Sequence, residues 1–376
     1  MLKLLRYFGQ EWVVKIRSAN LRKWLTAVAA VTTLAVVGAG TWERSTPRMR
    51  FGSLPFPGRF TLYSAVSVSD LGVHRHGPWG RRVGDTDETG TGILYTRRAG
   101  FLDLAHMREY VDWGKYLHEQ AMECLAGGSD SFAFDWSGGT FEVRVTRPSI
   151  PGSPEDRRRA RDAMARQFAQ RMVIVMGTWH EAATWHGERT FPGISETRSA
   201  FTWDDTSSHV VASWVVGRAL QRPGCEWDDA VTQELAAQLD ELDAVDHETG
   251  ARAVQAIYGA WWTDDSGDEP RPLKRDLDTG LFTGVKHAWL APGFEQTAGE
   301  STAPLVLPCW PRTPDGTDLS RVFRVTITAE DDLAPRLMGE TGPPPLRTSL
   351  DPERDFPRVI EVIREQFASQ RSGSPQ

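Results

Sequence analysis

A histidine and a glutamate stand side by side at the end of a long apolar segment, in Thr178-Trp179-His180-Glu181. Such a pair is costly to bury unless it is hydrogen bonded, ion paired or bound to a metal. A zincin helix needs a second histidine four residues after the first. Thr184 occupies that position, and His186 lies roughly 120° further around the helix. The segment therefore predicts a polar centre and excludes an ordinary zincin.

Two other predicted helices carry groups that can join this centre. Asp205 and His209 are four residues apart and share a face with apolar residues, so this face is predicted to point inward. His106 lies on the apolar stripe of a further helix, three residues after Asp103. Facing helices can combine carboxylate and imidazole groups in one site. The predicted metal ligands are His106, His180, Asp205 and His209.

This set of nitrogen and oxygen ligands suits zinc, iron or manganese better than copper(I). Glu181 is the predicted general base for a metal-bound water. Arg98 is predicted to bind an anionic group of the substrate, since arginine forms bidentate bonds to carboxylate or phosphate. The alternative is a buried network that fixes helix packing without metal or catalysis, in which Asp103 and Asp205 serve as helix caps. Both interpretations stay open, because the sequence does not fix distances between helices.

The segments around these residues predict a helix-dominated α+β fold, with a single helical core domain and small β-hairpin elements. Asp103 is the predicted N-cap of the His106 helix, Ser153-Pro154 begins the His180 helix, and Thr202 to Asp205 resembles a capping box. Further predicted helices are Val231–Leu242, Ala251–Trp262 and Phe356–Ala368, and predicted strands are Phe60–Val68, Phe132–Trp136, Thr140–Thr146 and Arg321–Thr328. His74 and His76 fall in a loop predicted to be exposed, or alternatively to line the mouth of the site.

The composition excludes some classes of function. The chain has 376 residues and a net charge of −7, so it lacks the basic footprint of a nucleic-acid-binding protein. Its three cysteines, Cys124, Cys225 and Cys309, permit one disulfide with one thiol left over, and the sequence does not choose the pair. No Cys-x-x-Cys pair is present, so a cysteine-based zinc or redox site is not expected.

The N-terminus predicts export. A basic leader at 1–23 precedes an uncharged hydrophobic segment at 24–40, the pattern of a signal peptide or a membrane anchor. We expect a linker at 41–58, the main globular domain at 59–340 and a C-terminal extension with a terminal helix at 341–376. The protein would then be anchored in the inner membrane, facing the periplasm or extracytoplasmic space, or be secreted after cleavage.

Residues 92–108, which read GILYTRRAGFLDLAHMR, resemble the signature of the bacterial domain-of-unknown-function 4056 family. The segments Leu71 to His74, His180-Glu181 and Ser199 to Asp205 are similar to that family's pattern too, and the resemblance extends roughly from Phe60 to Pro292. The family often has cysteine at the position of Arg97 and asparagine at that of His209, which weakens His209 as a general ligand. The resemblance implies the place of a site and not its reaction.

The sequence thus leaves two hypotheses for the function. The first is an exported or membrane-anchored bacterial envelope protein with the activity of a metal-dependent hydrolase. The second is a non-catalytic envelope module, in which a tryptophan-rich surface binds a protein partner, a glycan or a lipid. The chain has 15 tryptophans, and such large side chains dominate the energetics of cores as well as interfaces. No motif indicates a particular substrate.

Overall fold

The fold is known from a computed structural model. It describes residues 46–47, 50, 66–76, 92–189, 196–263, 271–294, 303–308, 316, 318–330, 332–340 and 348–372. The predicted leader, the hydrophobic segment 24–40 and Cys309 lie outside these ranges. In the described part of the chain, no helix is both long and apolar enough to cross a membrane. Cys124 and Cys225 are both free thiols.

Eight helices and eight short strands make up the described chain, which confirms the helix-dominated α+β prediction. The strands are β1 Ile93–Thr96, β2 Gly100–Asp103, β3 Ser131–Trp136, β4 Gly139–Val145, β5 Val285–Lys286, β6 Leu305–Val306, β7 Phe323–Ala329 and β8 Ser349–Leu350. The helices are α1 Leu104–Ala126, α2 Pro154–Trp185, α3 Trp203–Ala219, α4 Trp227–Glu241, α5 His247–Ala256, α6 Leu319–Val322, α7 Leu333–Met338 and α8 Pro352–Ser372.

Helices α1, α2 and α3 pack against one another and form the centre of the fold. Two glycines allow close contact within this group. A Cβ added to Gly177 of α2 would lie 2.5 Å from Cγ of His209 on α3, and one added to Gly114 of α1 would lie 2.7 Å from Cγ1 of Val216. Ordinary contacts at a Cβ are longer than about 3.4 Å, so only glycine permits this spacing of the helices.

A four-stranded antiparallel sheet in the order β3-β4-β7-β8 covers this helical core. The hairpin of β3 and β4 was predicted, and its two-residue turn is Ser137-Gly138. The C-terminal segment takes part in the same core, because β8 pairs with β7 and Phe356, Val359 and Ile363 of α8 are buried in it. The hairpin of β1 and β2 packs against α3 and leads directly into α1.

Three local predictions were wrong in detail. Residues 60–65 of the predicted strand Phe60–Val68 lie outside the described ranges, and its last residue, Val68, begins a 3-10 turn that ends at Asp70. In this turn the backbone N–H of Ser67 donates to Asp70 Oδ2 at 2.8 Å. Helix α5 runs from His247 to Ala256 instead of from Ala251 to Trp262, and a turn follows it in which Gly259 has a left-handed φ of 70° and donates its N–H to Trp262 O at 2.7 Å. Thr202 lies at the N-cap of α3, but its hydroxyl makes no capping bond to the backbone.

In the described part of the chain, more than half of the tryptophans are buried. Buried members of this group include Trp113, Trp179, Trp185, Trp203, Trp261 and Trp262. Trp203, Trp261 and Trp262 stack edge to face in a second apolar cluster beside β1 and β2, with ring centroids 4.7 and 5.7 Å from Trp203. These buried side chains stabilise the core by burial and by their ring geometry.

Candidate metal centre

The centre begins where β2 passes into α1. Asp103 is the last residue of β2 and the N-cap of α1, and its Oδ1 accepts the backbone N–H groups of Ala105 at 2.7 Å and His106 at 3.2 Å. The backbone N–H of Asp103 donates to Ser208 Oγ of α3 at 2.8 Å. The cap confirms one sequence expectation. It also fixes His106 in the first turn of α1, opposite α3.

Asp103, His106 and Asp205 form a set of side chains that could hold a metal ion. One potential ligand atom from each of the three lies within 4.8 Å of the other two. His106 Nδ1 is 2.7 Å from Asp205 Oδ1 and 3.8 Å from Asp103 Oδ2. Both carboxylate side chains are only 4% exposed, whereas the His106 imidazole is 21% exposed. Solvent therefore reaches the set at His106.

The position of Asp205 depends on the irregular segment before α3. The hydroxyl of Thr202 donates to Asp205 Oδ2 at 2.7 Å, which takes the place of the predicted capping box. The preceding residue, Phe201, has a left-handed φ of 56°, and its backbone N–H donates to Glu181 Oε2 at 2.5 Å. Glu181 thus holds the turn that presents Asp205. A left-handed backbone is strained for a residue other than glycine, and it persists only where surrounding contacts such as this hydrogen bond stabilise it.

Two further predicted ligands lie beside His106, outside the 4.8 Å set. The ring centroid of His106 is 6.1 Å from that of His180 on α2 and 6.4 Å from that of His209 on α3. His209 is buried between Gly177 and Tyr110, and its Nε2 has no hydrogen-bond partner among the residues described. Of the four predicted ligands, His106 and Asp205 are in direct contact, whereas the rings of His180 and His209 lie beside His106 and outside the set.

The partly exposed edge of the centre is formed by the β3–β4 turn and the end of α2. Ser137 Oγ lies 2.8 Å from Nδ1 of His180, and the Trp136 ring lies 5.9 Å from the His180 ring. Trp136, Ser137, His106 and His180 are half-buried. Ser137 escaped the sequence interpretation, because a serine in a hairpin turn gives no signal of a partner 43 residues away.

Electrostatics separate the three histidines. Burial lowers the pKa of His106, but the carboxylates of Asp103 and Asp205 outweigh it and hold that pKa well above its usual value. Burial lowers the pKa of His180 to about 4 and that of His209 to about 3, so these two rings are neutral at pH 7. The centre thus pairs the His106 imidazole, which favours its charged form, with Asp205, and places two neutral rings beside them.

The pKa values of the three carboxyl groups are also shifted in different directions. Burial raises the pKa of Asp205, but the His106 charge and its hydrogen bond have the larger combined effect and lower it. Burial, followed by repulsion from Asp205, raises the pKa of Glu181 well above its usual value. Asp103 also has a raised pKa, chiefly because it is buried. A cation placed between these groups would relieve their repulsion.

Arg98 is placed away from the other predicted site residues. It lies exposed in the turn of the β1–β2 hairpin, where its backbone N–H donates to Leu242 O at 3.2 Å. Asp103 stands at the opposite end of this hairpin, paired with Ile93. Four residues of extended strand span about 10 Å. The fold thus separates the Arg98 backbone from the metal set by the length of a hairpin.

His74 and His76 lie in a second polar cluster. Asp112 Oδ1 contacts His74 Nε2 at 2.9 Å and His76 Nδ1 at 2.7 Å, and Arg50 pairs with Oδ2 of the same carboxylate. His74 is fully buried, in contrast to the exposed loop that was expected, while His76 is partly exposed. This cluster attaches residues 71–76 to α1, and Trp227 of α4 adds a hydrogen bond to Asp112 at 3.4 Å.

Comparison with known proteins places the chain in a family without adding an activity. No curated protein and no solved structure shows significant similarity to the chain. Residues 46–278, more than half of the 376, match a family described as "Protein of unknown function (DUF4056)". This range contains His106, His180 and Asp205, together with the β3–β4 turn. The chain belongs to the DUF4056 family of proteins of unknown function.

Proposed function

We propose that the protein is a metal-dependent hydrolase whose ion is held by Asp103, His106 and Asp205. The observation that carries the proposal is their convergence: one atom from each lies within 4.8 Å of the others, and Asp205 comes from a helix about 100 residues further along the chain. Two oxygen ligands and one imidazole nitrogen suit zinc, iron or manganese. The partial exposure of His106 gives an ion and a substrate a route to the set.

The surroundings support an ion at this place. His106 Nδ1 and Asp205 Oδ1 are hydrogen bonded at 2.7 Å, and a divalent ion would replace the proton between them as the partner of both groups. His209 Nε2 is buried without a partner among the described residues, and such an atom is costly unless something satisfies it. His209 is thus a buried, neutral ring beside the set, with its centroid 6.4 Å from that of His106.

A bound ion would lower the pKa of a coordinated water and polarise the substrate. The protein supplies the geometry. Asp103 fixes the start of α1, and Thr202 orients Asp205. Glu181, the predicted general base, is buried, and its hydrogen bond to Phe201 supports the turn before α3. Its burial favours a role in holding Asp205 over a role in contacting substrate.

Metal binding by the purified chain tests the proposal. The protein is stripped with a chelator, and zinc, iron(II) and manganese(II) are then titrated in turn, with binding followed by calorimetry and metal analysis. We expect one ion per chain and a loss of affinity of more than about 100-fold in Asp205→Asn, since even an outer-shell change often costs 10–100-fold. Asp240→Asn, at an exposed position of α4, is the matched control. Stoichiometric binding of none of the three ions would refute the proposal.

One observation favours the second hypothesis, a non-catalytic module. Asp103 caps α1, and Asp205 accepts hydrogen bonds from both Thr202 and His106, so these carboxylates have partners without any ion. A purely structural network predicts that Asp205→Asn destabilises the metal-free protein and that no metal stabilises the wild type. An increase of the melting temperature on adding zinc, absent in Asp205→Asn, would exclude it.

We also propose that the protein is exported and held at the bacterial membrane by residues 24–40. The basic leader followed by an uncharged segment supports this localisation. Fusion of residues 1–58 to a reporter enzyme that is active only outside the cytoplasm tests export. Comparing the size of the mature fusion with that of the full-length one tests cleavage. A reporter that stays inactive would refute the proposed localisation.

A further inference from the structure

The turn between β3 and β4 has an unusual residue in its first position. Ser137 and Gly138 have φ angles of 47° and 70°, both in the left-handed region that this two-residue turn requires. Glycine, asparagine and aspartate suit such positions, whereas serine is less favourable there. The backbone conformation thus does not favour serine at position 137, and its hydroxyl group is what distinguishes it from the usual residues of such a turn.

That hydroxyl is held against α2. The indole N–H of Trp179 donates to the Ser137 carbonyl at 2.9 Å, and the backbone N–H of Glu330 donates to the Gly138 carbonyl at 2.9 Å. The turn is thus fixed from both sides. With its backbone held in this way, Ser137 Oγ lies 2.8 Å from Nδ1 of His180. This contact leaves Nε2 as the nitrogen of His180 that can meet a reactant.

His180 stands at the edge of the metal set. Its ring lies edge to face beside the His106 ring, with the centroids 6.1 Å apart, and His180 does not belong to the set of atoms within 4.8 Å. His180 is half-buried, whereas Glu181 and His209 are buried. Of the groups beside the set, His180 is therefore the one that a substrate and its water can reach.

We infer that His180 is the proton-transfer residue of this centre and that Ser137 is its positioning residue. The inference rests on the proposed function. Nδ1–H of His180 donates to Ser137 Oγ, so Nε2 carries the lone pair. A water proton passes to Nε2, and the remaining hydroxide oxygen bonds to the electrophilic carbon or phosphorus of the substrate. The bond to the leaving group breaks, and the proton on Nε2 passes to the leaving oxygen or nitrogen.

Ser137 suits this cycle because its oxygen accepts the Nδ1–H bond both when His180 is neutral and when it is protonated. The ring therefore keeps one orientation through both proton transfers. A displaced imidazole would lose this alignment while the metal ligands stayed in place. The inference thus predicts a loss in kcat without a loss in metal affinity.

The test compares the zinc-loaded full chain with three variants in the hydrolysis of p-nitrophenyl acetate and bis(p-nitrophenyl) phosphate. His180→Ala should lower kcat by about 100-fold or more, leave KM and zinc affinity unchanged, and regain activity when imidazole is added. Ser137→Gly should lower kcat by roughly tenfold, through lost orientation of the base. Its melting temperature should be unchanged or higher, since glycine relieves the left-handed strain. Thr140→Ala, which removes an exposed hydroxyl bonded to Asp135 on the same hairpin, is the control and should match the wild type.

The outcomes distinguish a failure of this inference from a failure of the proposed function. A wild type that binds zinc and hydrolyses a substrate, with His180→Ala or Ser137→Gly equally active, would overturn the inference and leave the proposed function standing. A wild type that binds no metal, or that binds it and hydrolyses neither substrate, would overturn both. Covalent labelling of Ser137 by a fluorophosphonate would make this serine a nucleophile and would overturn its positioning role.

Discussion

Gly177 allows α2 and α3 to approach, and Gly177→Ala tests this close contact directly. The added Cβ would lie 2.5 Å from Cγ and 2.7 Å from Cε1 of His209, distances that real Cβ contacts essentially never show. The His209 ring is 2% exposed, so it has little space to move away. Relief of the overlap therefore requires a shift of the ring or of the helix by about 1 Å.

The expected magnitude follows from two opposing effects. Alanine is favoured over glycine inside a helix by about 1 kcal/mol. Overpacking a rigid core costs about 1–3 kcal/mol, and the short contacts to a buried ring place Gly177→Ala at the upper end of that range. The free energy of unfolding should fall by about 1–2 kcal/mol, which corresponds to a melting temperature lower by about 2–6 °C.

Thermal and urea unfolding followed by circular dichroism would measure this change, with Gly217→Ala as the matched control. Gly217 is also a helical glycine of the core, but a Cβ there meets the end of the Gln170 side chain, with its Cδ at 2.5 Å. That side chain is half-buried and can rotate away, at the cost of its hydrogen bond to Ser213 O. Gly217→Ala should stay within about 1 kcal/mol of the wild type. A Gly177→Ala protein as stable as the wild type would refute the proposed contact between Gly177 and His209.

Two further predictions concern buried ionisable groups. The pKa of His209 is lowered by burial from 6.5 to about 3, so the unfolded chain binds a proton in this range and the folded chain does not. Stability should therefore fall as the pH falls from 6.5 toward 3, and His209→Asn should reduce the slope of unfolding free energy against pH by about 1.4 kcal/mol per pH unit. Urea unfolding at several pH values measures this slope, and an equal slope in both proteins would contradict the assignment. Lys286 and Asp276 form a fully buried ion pair at 2.5 Å, so Lys286→Met should cost about 3–5 kcal/mol. Adding Asp276→Leu should recover most of this loss, and a single variant as stable as the wild type would show that the pair is not buried.

Much of the local structure could be predicted from the sequence. Asp103 and Ser153-Pro154 begin their helices as predicted, because an N-cap needs only a side-chain oxygen beside free backbone N–H groups. The β3–β4 hairpin follows from strands that alternate around a short turn. These signals act between residues close in the chain, so tertiary packing does not alter them.

Other features depend on contacts between distant residues. Thr202 was predicted to cap α3, yet its hydroxyl bonds to the carboxylate of Asp205. The short run from Gly72 to His76 was expected to be exposed, yet the buried Asp112 of α1 binds His74. In the first case the carboxylate lies three residues further along the chain, and in the second it lies on another segment. Each carboxylate competes with the backbone or with water for the same hydrogen-bonding group, and the sequence does not show which partner is chosen.

The sequence by itself determined which helices carry the polar groups and on which face, because apolar spacing fixes how a helix turns toward the core. His106, His180, Asp205 and His209 could be named on that basis. Only the tertiary structure decided that His106 and Asp205 touch, that His180 faces Ser137, and that Arg98 lies a hairpin away. A separation of a few ångströms depends on how closely the helices approach. That approach is set by packing at positions such as Gly177, where one methyl group would move the site.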